Sequence, residues 1–292
     1  MSGRLLGVAR VFRSTQYRCF STVRQGIKYT PTFKQYLQMP NNEVGSYFHD
    51  VPLEFSREGA TINMVVEIPR WTNAKFEISK NLRLNPIVQD SKNGKLRYVN
   101  NIFPFNGYIH NYGAIPQTWE DPTELDTVLG LNGDNDPLDC CEIGSTVLGT
   151  GTIYKVKVLG SLALIDDTEL DWKVIVIRCD DPLAKEISSL SGVEKCMPGL
   201  LEHTREWFRK YKIPQGKPAN TFAYNGEYRN VEETLNVIEK CHASWRKLIS
   251  DQIHEDSAGL PQIMRTGSSI ILEDENFLPA TIPKKVQRWF YV

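Results

Sequence analysis

The chain has 292 residues, 41% of them hydrophobic and 24% charged, and a formal net charge of −1. That length can bury a sizeable core, no apolar run approaches the ~18 residues of a membrane-spanning helix, and a balance so near neutral offers no basic face for nucleic acid. The charge is unevenly spread, because the first 42 residues carry seven basic side chains and no acidic one, which leaves the remainder acidic.

Taken in chain order, the start sets Leu5, Val8 and Phe12 at helical spacing with arginines between them and Ser and Thr after them. This is the pattern of a mitochondrial transit peptide and not of a secretory signal. Arg18-Cys19-Phe20 before Ser21 resembles a matrix processing site, which predicts cleavage near residue 20. Residues 1–26, which precede the start of the predicted core near residue 27, are assigned to a transit peptide and disordered leader. Residues 27–292 are assigned to a single domain, since no repeat or interdomain linker breaks them. A reducing matrix and the lack of any CxxC pair argue against disulfides among the six cysteines. Adjacent Cys140 and Cys141 read as core residues on opposite faces of a strand.

Short β-branched runs bounded by Gly, Pro, Asn or Asp predict strands at 61–69, 74–78, 95–99, 153–165 and 172–178. A helix is predicted from Asn230 to about Ser250. Asn230 and Glu233 form a capping box, and Leu235, Ile238, Cys241, Trp245 and Leu248 recur at three- and four-residue steps. A second helix is predicted over Gly199 to Lys212. Strands first and helices last indicate α+β, with helices packed on a sheet or barrel.

Two features carry chemistry. GDNDPLD (133–139) crowds Asp134, Asp136 and Asp139 around Pro137, and carboxylates that close repel unless a cation sits among them or each points separately into water. Along the predicted strands, Lys75 with Glu77, Lys95 with Arg97 and Asp171 with Lys173 are two apart and share a face. Each pair taken alone fits an ordinary solvated face; together with the acidic cluster they fit a shared polar cavity. Oxygen donors without His spacing for zinc point to Mg²⁺ or Mn²⁺. An EF-hand is excluded, because a loop from Asp134 has Asp139 where Gly is required and Ser145 where a bidentate Glu belongs. Metal and basic side chains together suit a phosphate chain.

GDNDPLD matches the D-x-D-P-x-D signature of the soluble (family I) inorganic pyrophosphatases. VVEIPRWTNAKFEI, GYIHNYGAIPQTWEDP, DDTELDWKVI and EWFRKYKIPQGKP resemble the other blocks of the family's eukaryotic branch. The similarity runs in order from about residue 27 to the terminal WFYV, and with the leader it resembles the mitochondrial form. The resemblance implies a five-stranded, OB-like closed β-barrel flanked by α-helices, and Mg²⁺-dependent hydrolysis of pyrophosphate to two orthophosphates by a metal-activated water, in the mitochondrial matrix. It also implies a homodimer; Trp71, next to Arg70, and Trp289 read as packing or subunit contacts instead of site residues.

Carried over residue by residue, Asp134, Asp139 and Asp171 correspond to the ligands of a first metal, with Asp139 also reaching a second. Asp166 and Glu77 correspond to positions serving metals that arrive with substrate. Asp136 stands at the carboxylate that orients or deprotonates the attacking water, and the implied catalytic set adds Glu67, a peripheral acid, and Tyr112. Lys75, Arg97, Tyr112, Lys173, Tyr211 and Lys212 stand where the family contacts phosphate oxygens, with Tyr108 nearby. Two other readings remain open on the residues alone: a phosphate- or metal-binding subunit without turnover, and a two-metal hydrolase of nucleotides. The second lacks a recognisable base-binding element.

Overall fold

The β-branched runs build the centre of a computed structural model that describes residues 20–250, 259–265 and 270–292. The structure is mostly β, with three α-helices among the described residues. Strands Thr61–Ile68, Ile153–Asp166 and Glu169–Arg178 fall close to their predicted places. The predicted strand at 95–99 shrinks to Lys95–Leu96, and short strands at Asn111–Ala114 and Asp139–Glu142 were not predicted.

Hydrogen-bonded pairing runs from Glu169–Arg178 to Asp139–Glu142, Asn111–Ala114, Thr61–Ile68 and Ile153–Asp166. The last of these also pairs with Glu169–Arg178, so the pairings of five strands return on themselves. Both faces are covered, which is why Thr61–Ile68 is buried at seven successive positions instead of alternating. Cys140 and Cys141, both fully buried, belong to different apolar clusters, as alternation along a strand demands.

The longest helix, α3, spans Val231–Ile249 and starts at the predicted capping box, with Asn230 and Glu233 each accepting from the other's backbone. All five residues of its predicted apolar stripe are buried. Helix α2, Leu200–Lys210, buries Leu201, Trp207 and Phe208, and the short α1, Leu190–Cys196, precedes it. The chain after α3 forms no α-helix among its described residues. It runs as an extended strap that ends in a parallel pairing of Trp289–Phe290 with Asn101–Ile102.

The leader boundary needs correction. Ser21–Gln25 is a strand paired antiparallel with Lys34–Gln38. Its Val23 is 1% exposed and packs with Val44 and Leu84, while Gly26 N–H donates to Glu275 at 2.7 Å. Residues 21–26 therefore belong to the fold, because Thr22 to Gln25 have a sheet edge and the strap to bond with. Phe20 packs partly buried against the core, and residues 1–19 of the predicted transit peptide lie outside the described residues. Deleting residues 2–20 should leave the melting temperature nearly unchanged. Deleting 2–27 removes a core valine and a strand, worth ~2–4 kcal/mol, and should lower it by several degrees at roughly 2–4 °C per kcal/mol. Equal melting temperatures for the two truncations in a thermal scan would show that the strand contributes nothing.

Candidate active site

Strand register builds the site. Asp139 pairs with Lys173 across a parallel ladder, and Asp171 lies two residues before Lys173 on the same face. One ammonium thus meets two carboxylates, at 2.5 Å from Asp139 and 2.5 Å from Asp171. The Tyr112 hydroxyl donates to Asp139, and Lys173 Nζ donates to the Tyr112 oxygen at 2.9 Å. Tyr112 sits at a register shift beside Gly113. A Cβ on Gly113 would lie 2.0 Å from the Val65 carbonyl, so only glycine lets these strands close while the bulge turns Tyr112 toward the cleft.

The GDNDPLD turn supplies the other acids. Asn135 takes a left-handed φ of 69°, and its side-chain oxygen accepts from Trp119 Nε1 at 3.0 Å. Leu138 is driven fully into the core, and its neighbours Asp136 and Asp139 line the opening. The result is a cleft of about 190 Å³. Asp134, Asp136, Asp139, Asp166 and Asp171 line it together with Lys75, Arg97, Lys173 and Lys212, and so do Tyr108, Tyr112 and Tyr211. Lys212 pairs with Asp166. Tyr211 stacks on Trp207 at 5.0 Å, so α2 provides the aromatic wall.

Two predicted residues stand apart. Glu67 and Glu77 do not line this cleft but an adjoining cavity of about 50 Å³, shared with Lys75, Tyr112, Asp136 and Asp139. Glu67 accepts from Ile78 N–H at 2.6 Å, and Glu77 pairs with Lys75 at 2.6 Å. Of the three charged strand pairs, Lys95 is the member that turns away: it is exposed, in a two-strand hairpin with Ser91–Lys92.

Sequence reading missed two acids. Asp90 bridges Lys75 at 3.1 Å and Arg97 at 2.5 Å, holding the two cations side by side. Glu120 is 4% exposed and accepts from Trp172 N–H at 3.0 Å, while its other oxygen, Oε2, has no hydrogen-bond partner. Each of Glu120, Asp134 and Asp171 offers a carboxylate oxygen within 4.8 Å of the others. Glu120 lies in the quoted QTWEDP block, but its neighbours Gln117, Thr118 and Asp121 are polar as well, so nothing in its spacing marks a buried acid.

Electrostatics follow from this crowding. Burial, then the charges of Asp171, Asp136 and Asp139, hold the Asp134 carboxyl well above its usual range. Burial also pushes Asp171 up to about 7, against the pull of Lys173. Glu120 is raised by burial and then by Asp134 and Asp171. Burial, reinforced by Asp139 for Tyr112 and by Asp166 for Tyr211, raises both phenols, so each stays an O–H donor at neutral pH. Burial disfavours the Lys173 ammonium, yet Asp139 and Asp171 outweigh it and keep it charged. An all-oxygen set of crowded acids, one with an orphaned buried oxygen, fits a hard divalent cation.

Comparison with known proteins gives the same answer. Residues 64–246 match the family model described as inorganic pyrophosphatase. The chain is 59% identical to the mitochondrial inorganic pyrophosphatase of Saccharomyces cerevisiae, over 99% of this chain and 94% of that protein. It is 48% identical to the inorganic pyrophosphatase of Yarrowia lipolytica, over 94% and 97% of the two chains. The solved structure of inorganic pyrophosphatase from Schistosoma japonicum superposes with a TM-score of 0.85 at 44% identity, covering 93% of this chain and all of that one. With an acid- and lysine-lined cleft of this make-up inside the matched segment, the chain belongs to the inorganic pyrophosphatase family.

Proposed function

We propose that the chain hydrolyses inorganic pyrophosphate to two orthophosphates with Mg²⁺, in the mitochondrial matrix. The observation that carries the reading is the cleft itself. Five aspartates and four cationic side chains face one opening, which suits a polyanion bound between metal and base. Asp134, Asp139 and Asp171 would hold the first cation, with Glu120 behind them. Asp139, Asp166 and Glu77 would serve further cations. When bound, the cations supply Lewis acidity, neutralising phosphate oxygens and making water a better nucleophile.

The chain's own residues do the rest. Lys75, Arg97, Lys173 and Lys212 bind the phosphate oxygens, and the Tyr112 and Tyr211 phenols donate to them. Asp136 orients the attacking water and takes its proton. Glu67, in the cavity beneath, is a peripheral acid of this network. Uncatalysed hydrolysis of phosphate esters is so slow, with enhancements up to about 10²¹-fold for monoesters, that charge fixed before the reaction has to do most of the work.

The closed ring of five strands supports an OB-like barrel flanked by α2 and α3, formed by one domain with its transit peptide ahead of it. The leader pattern, and the mitochondrial name of the yeast relative, support import into the matrix. Trp71 and Trp289, 58% and 40% exposed, support a homodimer. No helix among the described residues is long and apolar enough to cross a membrane.

Phosphate release from pyrophosphate, measured with and without Mg²⁺, tests the reading; no release with the metal present sinks it. A stability signature should accompany it. Because the folded Asp171 carboxyl sits near 7 against ~3.9 unfolded, the folded state holds the extra proton between those values. Its contribution is therefore lost as pH rises through that window. A cation that pairs with the ionised acids offsets the loss, so the rise in melting temperature caused by Mg²⁺ should be larger at pH ~8 than at pH ~5. An equal rise at both would show that the metal does not engage these carboxyls.

A further inference from the structure

The backbone of the Asp134–Pro137 turn is pinned from several sides. Asn135 N–H donates to the Glu120 carbonyl at 2.9 Å, Glu120 N–H donates to the Asp136 carbonyl at 2.9 Å, and Asp136 N–H donates to Asp134 Oδ1 at 3.0 Å. The Asn135 side chain donates to the Gly259 carbonyl of the strap at 2.9 Å. These bonds fix where the Asp136 Cα sits but not how its carboxylate turns, and that side chain is 44% exposed.

One side chain does hold it. Lys80 Nζ lies 2.7 Å from Asp136 Oδ1 and donates to the Asn135 carbonyl at 3.4 Å, so its ammonium spans the turn and the carboxylate. Lys80 is itself anchored: its carbonyl accepts from Gln262 N–H of the strap at 2.7 Å, and it follows Phe76–Ile78, the strand that carries Glu77. The strap is fixed in turn, since the Gln262 carbonyl meets His49 Nε2 at 2.8 Å and Asn85 Nδ2 at 3.1 Å. Lys80 is not among the residues that line the cleft, whereas the Asp136 it pairs with is.

We propose that Lys80 is a positioning residue for hydrolysis, its ammonium holding one carboxylate oxygen of Asp136 so that the other faces the water in the cleft. The inference rests on the pyrophosphatase reading and extends it to a side chain outside the cleft. A partly exposed ion pair adds little to stability, whereas displacing a reacting group by ~1 Å can cost ~10²-fold in rate. The contact should therefore matter for turnover and hardly at all for folding.

The experiment compares Lys80→Met and Lys80→Arg, each alone and combined with Asp136→Asn. The readouts are kcat, KM, melting temperature and Mn²⁺ affinity by calorimetry. Lys80→Met should lower kcat by ~10- to 100-fold with KM, Mn²⁺ affinity and melting temperature nearly unchanged, and Lys80→Arg should restore most of the loss. In the Asp136→Asn background Lys80→Met should have almost no further effect, because the charge it orients is gone. The proposal is overturned by a kcat close to that of the unsubstituted chain, by the same fractional loss in both backgrounds, or by a melting temperature that falls in step with activity. Failure of the pyrophosphatase reading would show separately, as an unsubstituted chain that releases no phosphate, and would remove the inference with it.

Discussion

Asp139→Ala should abolish nearly all turnover, by on the order of 10³-fold or more, while the fold survives. In the structure this carboxylate is the point where three parts of the site meet: it accepts from Tyr112, pairs with Lys173 and lines both the main cleft and the adjoining cavity. On the proposed reading its removal would also take away a carboxylate that serves more than one cation, and it frees Tyr112 and Lys173 to shift. Stability is a different matter. Lys173, 3% exposed, keeps Asp171 at 2.5 Å, so no buried charge is left alone, and the repulsion that Asp139 exerts on Asp134 and Glu67 is relieved. The change in stability should stay within about 1–3 kcal/mol. Phosphate release assays alongside a denaturation curve check both parts; activity within tenfold of the unsubstituted chain would contradict the role of Asp139 as a shared metal ligand.

Much of this site could be read from the sequence because its residues are close neighbours in strands and one turn. Asp171 and Lys173 share a face by the two-residue period alone, and the predicted polar face exists around them. What the period cannot give is the partner across a ladder. That Asp139 stands opposite Lys173 depends on a parallel pairing between distant segments, and that Asp90 joins Lys75 to Arg97 depends on how two short strands meet. Glu120 escaped for the same reason: a single acid acquires meaning only when folding buries it beside Asp134 and Asp171. Lys95 went the other way, since it falls in a two-residue strand of a hairpin with Ser91–Lys92 and is exposed there.

The fold divides along the same line. Local signals, such as the capping box and apolar stripe of α3, survive intact, because a helix end satisfies its own orphan donors whatever packs around it. The edges fail. Ser21–Gln25 falls in the predicted leader because the family resemblance begins only near residue 27, yet it pairs with Lys34–Gln38, packs Val23 on Val44 and Leu84, and is tied to the strap by Arg24 and Asp274 at 2.7 Å. Basic character marks an import signal and an ion-paired edge strand equally well, and the partner strand and the strap decide between them.

Asp136→Asn should divide binding from chemistry. The amide keeps the shape of the carboxylate but not its charge or basicity, so on the proposed reading the attacking water would lose its proton acceptor. General-base catalysis of this kind is worth ~10²–10⁴-fold, and turnover should fall by that order. Substrate should still bind, because Asp136 is not one of the Glu120, Asp134 and Asp171 group, and Lys75, Arg97, Lys173 and Lys212 remain in the cleft to hold phosphate. KM should therefore change by less than about threefold, the pattern of an interaction made chiefly in the transition state. The ion pair with Lys80 is lost as well, but with Asp136 44% exposed that costs no more than ~1 kcal/mol, too little to confuse the kinetics with unfolding. Steady-state rates across a range of pyrophosphate concentrations decide the matter: a raised KM at undiminished kcat would make Asp136 a binding group and leave the water without its base.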